Sequence, residues 1–144
     1  MKINQAGRDL IQQFEQCRLK AYLPTAGDKP TIGWGHTVDV KLGQAITQHQ
    51  ADVMFDVDLG DYEAAVEKMA PGANENQFAA MVSFAYNCGV GALQGSTLLK
   101  KYLRGDAQGA AWEFLKWVRG PGGIIMVGLQ RRRLAEKNLF LRSV

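Results

Sequence analysis

Apolar residues near the N-terminus recur at helical spacing: they are Ile3, Leu10, Ile11 and Phe14. This pattern predicts a helix over about residues 4–15, with Asn4 as its N-cap. Glu15 then lies in the last turn, where the helix dipole disfavours a carboxylate. A glutamate that adds no local stability at this position hints at a functional role, although exposed glutamates at helix ends are common.

The pattern changes between about residues 21 and 42, where residues that break regular structure are frequent. Pro24, the pair Gly27-Asp28 and Pro30 mark turns. The run Thr31–His36 then alternates like a β-strand. The segment predicts a small, strongly turned sheet, and because such a sheet is too small to be stable alone we expect it to lean on a helix.

Five helical patterns follow in the rest of the chain. The first is the longest, because a capping box at Thr47–Gln50 opens it, it covers about residues 47–69, and Pro71-Gly72 ends it. Its length of roughly 30 Å would allow it to join two lobes. The other four are expected to begin near Asn74, Ser96, Asp106 and Gly128, with a break in the chain at Gly89 and Gly91.

These elements predict an α+β fold that is mainly helical. We expect one domain over residues 1–144, with the N-terminal helix at 1–15 packing on a helical C-terminal lobe at about 70–144. A small β lobe covers about 16–46, and a long connecting helix covers about 47–69. The cleft between the two lobes is the expected ligand site.

Composition narrows the class of protein. Hydrophobic residues make up 47% of the chain and charged residues 22%, which is ordinary for a globular protein. No apolar run is long enough to span a membrane. Asp9, Gln12 and Gln13 interrupt any signal-peptide core, so the chain is expected to start in the cytoplasm. Cys17 and Cys88 lack metal-site spacing and are too few for a disulfide framework, so we expect reduced cysteines and no metal.

The charge is unevenly distributed. The net charge is +3, but the predicted long helix carries six acidic residues and one lysine, while residues 100–144 hold ten Lys or Arg and three acids. This asymmetry suggests a basic lobe that meets a polyanion. A solvated basic face without a partner is the alternative, and charge alone does not separate the two.

Four segments, spread in order over residues 14–133, carry a more specific pattern. They are Phe14-Glu15 with Leu19–Tyr22, Thr31–Thr37, Phe84–Gly91 with Ser96–Leu99, and Gly128–Arg133. Together they resemble the phage endolysin type of lysozyme, glycoside hydrolase family 24. The resemblance implies a small β lobe and a helical lobe joined by a long helix. It also implies hydrolysis of the β-1,4 bond between N-acetylmuramic acid and N-acetylglucosamine in peptidoglycan, with no cofactor.

The resemblance assigns catalytic roles, with one departure. Glu15 matches the general acid and Thr31 the threonine near the attacking water. The family usually has Asp, or sometimes Cys, nine positions after the glutamate, where this chain has Pro24 in a loop that is one residue longer. Asp28, the only carboxylate in the loop, is our preferred replacement, and Thr25 is nearest to the usual position. Asp28 as a mere turn residue, and a site in which Glu15 and Thr31 suffice, are the alternatives.

Other residues receive supporting roles. By the resemblance Thr37, Tyr86, Asn87, Ser96 and Thr97 line the cleft as candidates for contact with the sugars. His36 is expected to pair with Asp58, by the family's register, and so to tie the sheet to the long helix. For Trp34, Trp112 and Trp117 core packing is the expected role, with sugar stacking as the alternative.

The last helix suggests a second activity. Arg131–Arg133 and the apolar end Leu139–Leu141 also suit an amphipathic, membrane-active segment. Against this, Leu129, Leu134 and Phe140 are expected to close the helical core.

The expected partner is bacterial peptidoglycan, with the basic C-terminal lobe holding the protein on anionic wall polymers; no nucleic acid is expected. We expect a monomer that waits in the host cytoplasm until a membrane-permeabilising partner, a holin, gives it access to the wall. A lytic transglycosylase, and a wall-binding module without catalysis, are the alternatives on the same scaffold.

Overall fold

The computed structural model describes residues 1–144 and contains seven α-helices and one antiparallel sheet of two strands. The helices are α1 (Gln5–Glu15), α2 (Gln48–Met69), α3 (Glu75–Cys88), α4 (Val90–Gln94), α5 (Thr97–Leu103), α6 (Ala107–Glu113) and α7 (Val127–Leu141). The strands are β1 (Arg18–Tyr22) and β2 (Thr31–Gly33), and short 3₁₀ turns lie at Phe114–Lys116 and Pro121–Gly123. The predicted class, α+β and mainly helical, is confirmed.

The chain forms two compact units. The first unit combines Met1–Phe14 with Tyr62–Val144, and the second consists of Glu15–Asp61. Helix α2 contributes residues to both. None of the helices is long and apolar enough to cross a membrane.

The core of the first unit lies around α3, which is buried along most of its length and packs against α7. Phe84 on α3 meets Phe114 edge to face with ring centroids 5.7 Å apart, and Phe114 lies 5.5 Å from Phe140 of α7. Leu134 on α7 is 47% exposed, so its predicted core position is wrong. Leu134 lies on the side of α7 that faces solvent, while Phe140 lies on the side that faces the core.

The N-terminal end of helix α1 packs closely against the rest of the first unit. Asn4 caps it, accepting a hydrogen bond from the Gly7 amide at 3.0 Å. A Cβ atom at Gly7 would lie 2.6 Å from Ile3 and 2.7 Å from Ala79. Gly7 lowers helix propensity, but its missing side chain lets α1 approach α3 closely.

The sheet of the second unit is built around β1. Arg18 lies opposite Gly33 and Tyr22 opposite Thr31, with an irregularity between them. The other edge of β1 is paired too, because the Ala21 amide donates to the Gln44 carbonyl at 2.9 Å and the Ile46 amide to the Leu19 carbonyl at 2.8 Å. The sequence did not predict this strand.

The capping residues define most of the helix starts. Thr47 and Gln50 exchange the two hydrogen bonds of a capping box ahead of α2, at 2.9 and 3.1 Å. Asn74, Ser96 and Asp106 accept hydrogen bonds from the first turns of α3, α5 and α6 as predicted. Two boundaries differ, since α7 starts at Val127, and α4 forms where a break was expected.

Candidate active site

Glu15 lies where the chain passes from α1 to β1. It is the last residue of α1, and Gln16 follows in the left-handed backbone region with φ 56° before β1 begins at Arg18. A residue other than glycine rarely adopts this conformation, so the surrounding structure holds it. Glu15 itself is half-buried between a helix and a strand in the sequence.

Thr31 opens β2 and is only 6% exposed. Its hydroxyl donates a hydrogen bond to the Lys29 carbonyl at 3.1 Å. Because the one hydroxyl proton is used in this way, the lone pairs of the oxygen remain to accept. The Thr31 oxygen can therefore accept a hydrogen bond, for example from a water molecule.

The loop between the strands places Asp28 in a turn. The Asp28 amide donates to the Thr25 carbonyl at 3.1 Å, and Pro24, Thr25 and Asp28 are all exposed. The backbone of Asp28 thus has the turn role that Gly-Asp pairs often have, and its carboxylate is open to solvent. Glu15, Asp28 and Thr31 all belong to the second unit.

His36 and Asp58, which the family resemblance suggested as a pair, are in contact in the second unit. Nδ1 of His36 lies 2.8 Å from Oδ2 of Asp58, and Nε2 lies 2.9 Å from the Val38 carbonyl oxygen. The Asp58 carboxylate and the Val38 carbonyl are both hydrogen-bond acceptors for the ring. The side chains of His36 and Asp58 are only 17% and 20% exposed. We propose that this charge-assisted contact joins the turn that follows β2 to helix α2.

We expect Asp58→Asn to lower the free energy of unfolding by about 1–2 kcal/mol, because a largely buried, charge-assisted hydrogen bond is weakened. Thermal melting of purified protein measures the change. Asp61→Asn, an exposed position on the same helix, is the matched control and should melt like the parent. Equal melting of all three proteins would contradict a stabilising role for the pair.

The proposed sugar-contact residues divide between the two units. Thr37 is exposed in the second unit, and Thr97, at the start of α5, is exposed in the first. In the first unit, the ring of Tyr86 lies 5.1 Å from that of Tyr62. Ser96 is buried, and its hydroxyl donates to the Leu93 carbonyl at 2.7 Å and accepts from the Leu99 amide at 3.0 Å. The expectation that Ser96 lines a cleft is wrong, because capping α5 uses its hydroxyl.

The tryptophans follow the core prediction only in part. Trp34 is partly buried against Phe55, with ring centroids 6.0 Å apart, and its indole N–H donates to Asp52 at 2.9 Å. Trp117 is 37% exposed, and its ring meets that of Phe84 edge to face at 5.2 Å between centroids. Trp112 is 56% exposed beneath the Lys137 ammonium. Core packing is therefore wrong for Trp112.

Sequence reasoning missed a buried ionic cluster. Arg132, Arg133 and Glu136 on α7 are at most 3% exposed. Both arginines contact the Glu136 carboxylate, which also accepts from the Ser83 hydroxyl at 2.5 Å. Arg133 further donates to the Trp117 carbonyl at 3.0 Å and to the Asn87 side-chain oxygen. The signal in the sequence was the spacing of Arg and Glu by three and four residues, which puts them on one helix face.

This cluster also bears on the membrane-active alternative. Two of the three arginines in Arg131–Arg133 are buried, so they cannot form the charged face of an amphipathic surface helix. No group of three or more His, Cys, Asp or Glu residues is arranged to hold a metal ion.

Comparison with known proteins identifies a matching family and similar endolysins. Residues 12–136 match the family model described as Phage lysozyme. An endolysin of Bacillus phage B103 is 44% identical over 144 residues, a match that covers 98% of this chain and 54% of that protein. An endolysin of Acyrthosiphon pisum secondary endosymbiont phage 1 is 39% identical over 144 residues, covering 97% of this chain and 98% of that protein. The chain thus spans about half the length of the Bacillus phage relative and nearly all of the second.

A solved structure has the same fold. The muramidase domain of SpmX from Asticaccaulis excentricus superimposes with a TM-score of 0.91 at 34% identity, over 99% of both chains. The two-stranded sheet and the seven helices are therefore a lysozyme-like fold.

Proposed function

The chain belongs to the phage lysozyme family, and on that premise we propose that it is an endolysin that lyses bacterial cell walls. We further propose that it hydrolyses the β-1,4 bond between N-acetylmuramic acid and N-acetylglucosamine. The observation that carries the proposal is the position of Glu15. Glu15 ends α1 just before the left-handed Gln16, and it belongs to the same unit as the buried Thr31.

The proposed mechanism starts with the Glu15 carboxyl in its protonated form. Glu15 gives its proton to the glycosidic oxygen while the bond from that oxygen to the anomeric carbon breaks. Charge develops on the anomeric carbon, and a water molecule adds there. The Thr31 oxygen accepts a hydrogen bond from this water and so orients it, because its own proton is held by the Lys29 carbonyl.

The proton lost by the water needs an acceptor. We propose the Asp28 carboxylate, because it is exposed in the loop that leads into Thr31. Pro24, which occupies the usual position of the aspartate, cannot accept a proton. The alternative is that Asp28 serves only the turn and the water loses its proton to solvent.

We propose that residues 1–144 act as one lysozyme domain on peptidoglycan. Thr37, Tyr86, Asn87 and Thr97 are the proposed contacts to the glycan, and exposed cations of residues 100–144 would hold the protein on anionic wall polymers. A monomeric state and release by a holin stay predictions.

The products of the reaction test this function. Purified peptidoglycan is incubated with the protein, and the released muropeptides are analysed by mass spectrometry. We expect saccharides with reducing N-acetylmuramic acid ends, since water is the acceptor. Products with 1,6-anhydro ends would instead identify a lytic transglycosylase, and no products would identify a wall-binding module. Glu15→Gln, purified in parallel, controls for contaminating hydrolases.

A further inference from the structure

The face of the sheet that carries Thr31 also carries two side chains with unused hydrogen-bonding groups. Tyr22 ends β1 directly opposite Thr31, and Arg18 begins the same strand four residues earlier. Residues directly opposite each other in an antiparallel pair share one face of the sheet, with Cβ atoms about 5 Å apart. Side chains alternate along a strand, so Arg18 falls on this face as well. All three residues belong to the second unit.

Arg18 and Tyr22 are in direct contact with each other. The guanidinium carbon of Arg18 lies 4.6 Å from the centroid of the Tyr22 ring, which is a cation–π geometry. The contact shows that both side chains lie on one face of the sheet despite the irregularity in the strand between them. Because Arg18 covers the ring, it restrains Tyr22 in its place beside Thr31.

The polar groups of these two side chains have no partner within the chain. The phenol hydroxyl of Tyr22 and the N–H groups of Arg18 make no hydrogen bond or ion pair with other residues. Arg18 is exposed and Tyr22 is half-buried, so a ligand can reach both. The guanidinium offers several donors in one plane, and the phenol can both donate and accept.

The charge around this pair is nearly balanced. Residues 15–31 hold two acids and three cations, which are Glu15 and Asp28 against Arg18, Lys20 and Lys29. One excess positive charge gives a polyanion little preference for this surface. A neutral ligand that is rich in hydroxyl and carbonyl groups fits the available donors and acceptors better.

We propose that Arg18 and Tyr22 form a subsite that binds a sugar ring of the glycan next to the bond that is cleaved. The inference rests on the proposed function, which makes peptidoglycan the substrate and places Thr31 in the active site. The guanidinium would donate to hydroxyl or carbonyl oxygens of the sugar, and the phenol would exchange a hydrogen bond with another. Because the ligand is neutral, the planar set of donors on Arg18 matters more than its charge.

Equilibrium binding of soluble glycan strands, freed of their peptides by an amidase, tests the contribution of Tyr22 without any need for cleavage. Glu15→Gln protein serves as the parent. Tyr22→Phe removes one hydroxyl group, and we expect it to raise Kd about fivefold, the usual effect of one lost hydrogen bond. The melting temperature should not change, because this hydroxyl has no partner within the chain. A purely structural role of Tyr22 would not produce that combination.

The matched control for Tyr22 is Tyr102→Phe. The Tyr102 phenol donates to the Pro71 carbonyl at 2.9 Å in the first unit. Its removal should therefore lower the melting temperature slightly and leave Kd for the glycan strands unchanged.

A second pair of variants separates the donors of Arg18 from its charge. Arg18→Met should also raise Kd about fivefold, and Arg18→Lys should recover little of the loss, because lysine keeps the charge without the planar donors. Lys41→Met, which removes an exposed cation elsewhere in the second unit, is the matched control and should bind like the parent. Melting curves verify that all variants are folded.

Each other outcome would contradict the proposal in a different way. Unchanged Kd in Tyr22→Phe and Arg18→Met would remove the subsite. Binding by Arg18→Lys at the level of the parent, or equal losses in Arg18→Met and Lys41→Met, would mean that only charge acts. No binding by the Glu15→Gln protein would overturn the subsite together with the proposed substrate. A protein with Glu15 intact that binds the strands through Tyr22 but releases no reducing ends would refute the proposed function alone.

Discussion

Replacing Glu15 by Gln is expected to lower the rate of peptidoglycan cleavage by about 10²–10⁴-fold, the usual contribution of a general acid. The amide has the shape of the carboxyl group but cannot deliver a proton to the glycosidic oxygen. Turbidity loss of a wall suspension and the release of reducing ends measure the rate. The melting temperature should stay close to that of the parent, because glutamine has nearly the same size and shape as glutamate. Lysis at the parent rate by the purified variant would remove Glu15 from the mechanism.

The same assay separates the two roles of Asp28. Asn suits a turn as well as Asp does, so Asp28→Asn keeps the backbone hydrogen bond to Thr25 and removes only the carboxylate. If Asp28 accepts the proton of the attacking water, Asp28→Asn should cleave peptidoglycan more slowly than the parent, even though Glu15 is intact. Asp39→Asn is the matched control, because Asp39 is exposed in the same unit and Asn also tolerates its left-handed φ of 55°. Parent-like rates for both variants would favour the turn role alone.

Local signals explain which elements the sequence predicted. Helices α2, α3, α5 and α6 begin where a capping side chain can reach the amides of the first turn, and those partners are only a few residues apart. Strand β1 has no such local signal. Its residues are mostly exposed, and hydrogen bonds to Thr31–Gly33 on one edge and to Gln44 and Ile46 on the other define it. Pairing of this kind depends on residues distant in sequence.

In the candidate site, too, some features follow from local signals and others depend on residues distant in sequence. The position of Glu15 at the end of α1 and the contact between His36 and Asp58 could be expected from the sequence and its resemblance to a family. The orientation of the Thr31 hydroxyl could not, because it depends on the loop carbonyl of Lys29. Pro24 removes the family's own signal for the second catalytic group, so the sequence offers Asp28 only by its charge and its place in the loop.

The arginines of α7 show why burial is the harder property to predict. An Arg-rich stretch normally indicates a solvated face, and Arg131 conforms to this expectation. Arg133 is instead fully buried, because the Glu136 carboxylate, the Asn87 side chain and the Trp117 carbonyl satisfy its donors. Two of these partners lie on other elements, which the order of residues in α7 does not reveal.

The same buried cluster makes the charge of Glu136 important for the stability of the first unit. Its carboxylate is the common partner of Arg132, Arg133 and Ser83, and all of these side chains are buried. Removing one partner of a buried ion pair leaves the other charge desolvated and uncompensated, which costs about 3–5 kcal/mol. In Glu136→Gln two guanidinium groups would be left in this condition, because the new amide donor also faces donors.

We therefore expect Glu136→Gln to lower the free energy of unfolding by about 3–5 kcal/mol and the melting temperature by roughly 10 °C. Urea denaturation and thermal melting measure the two quantities. Glu67→Gln makes the same substitution at an exposed carboxylate that pairs with the N-terminal amine, and such surface pairs contribute less than about 1 kcal/mol. If Glu136→Gln is no less stable than this control, the buried arginines do not depend on Glu136 for compensation. If it fails to fold, Ser83→Ala provides a milder test, because it removes one neutral donor to Glu136 and should cost about 1 kcal/mol.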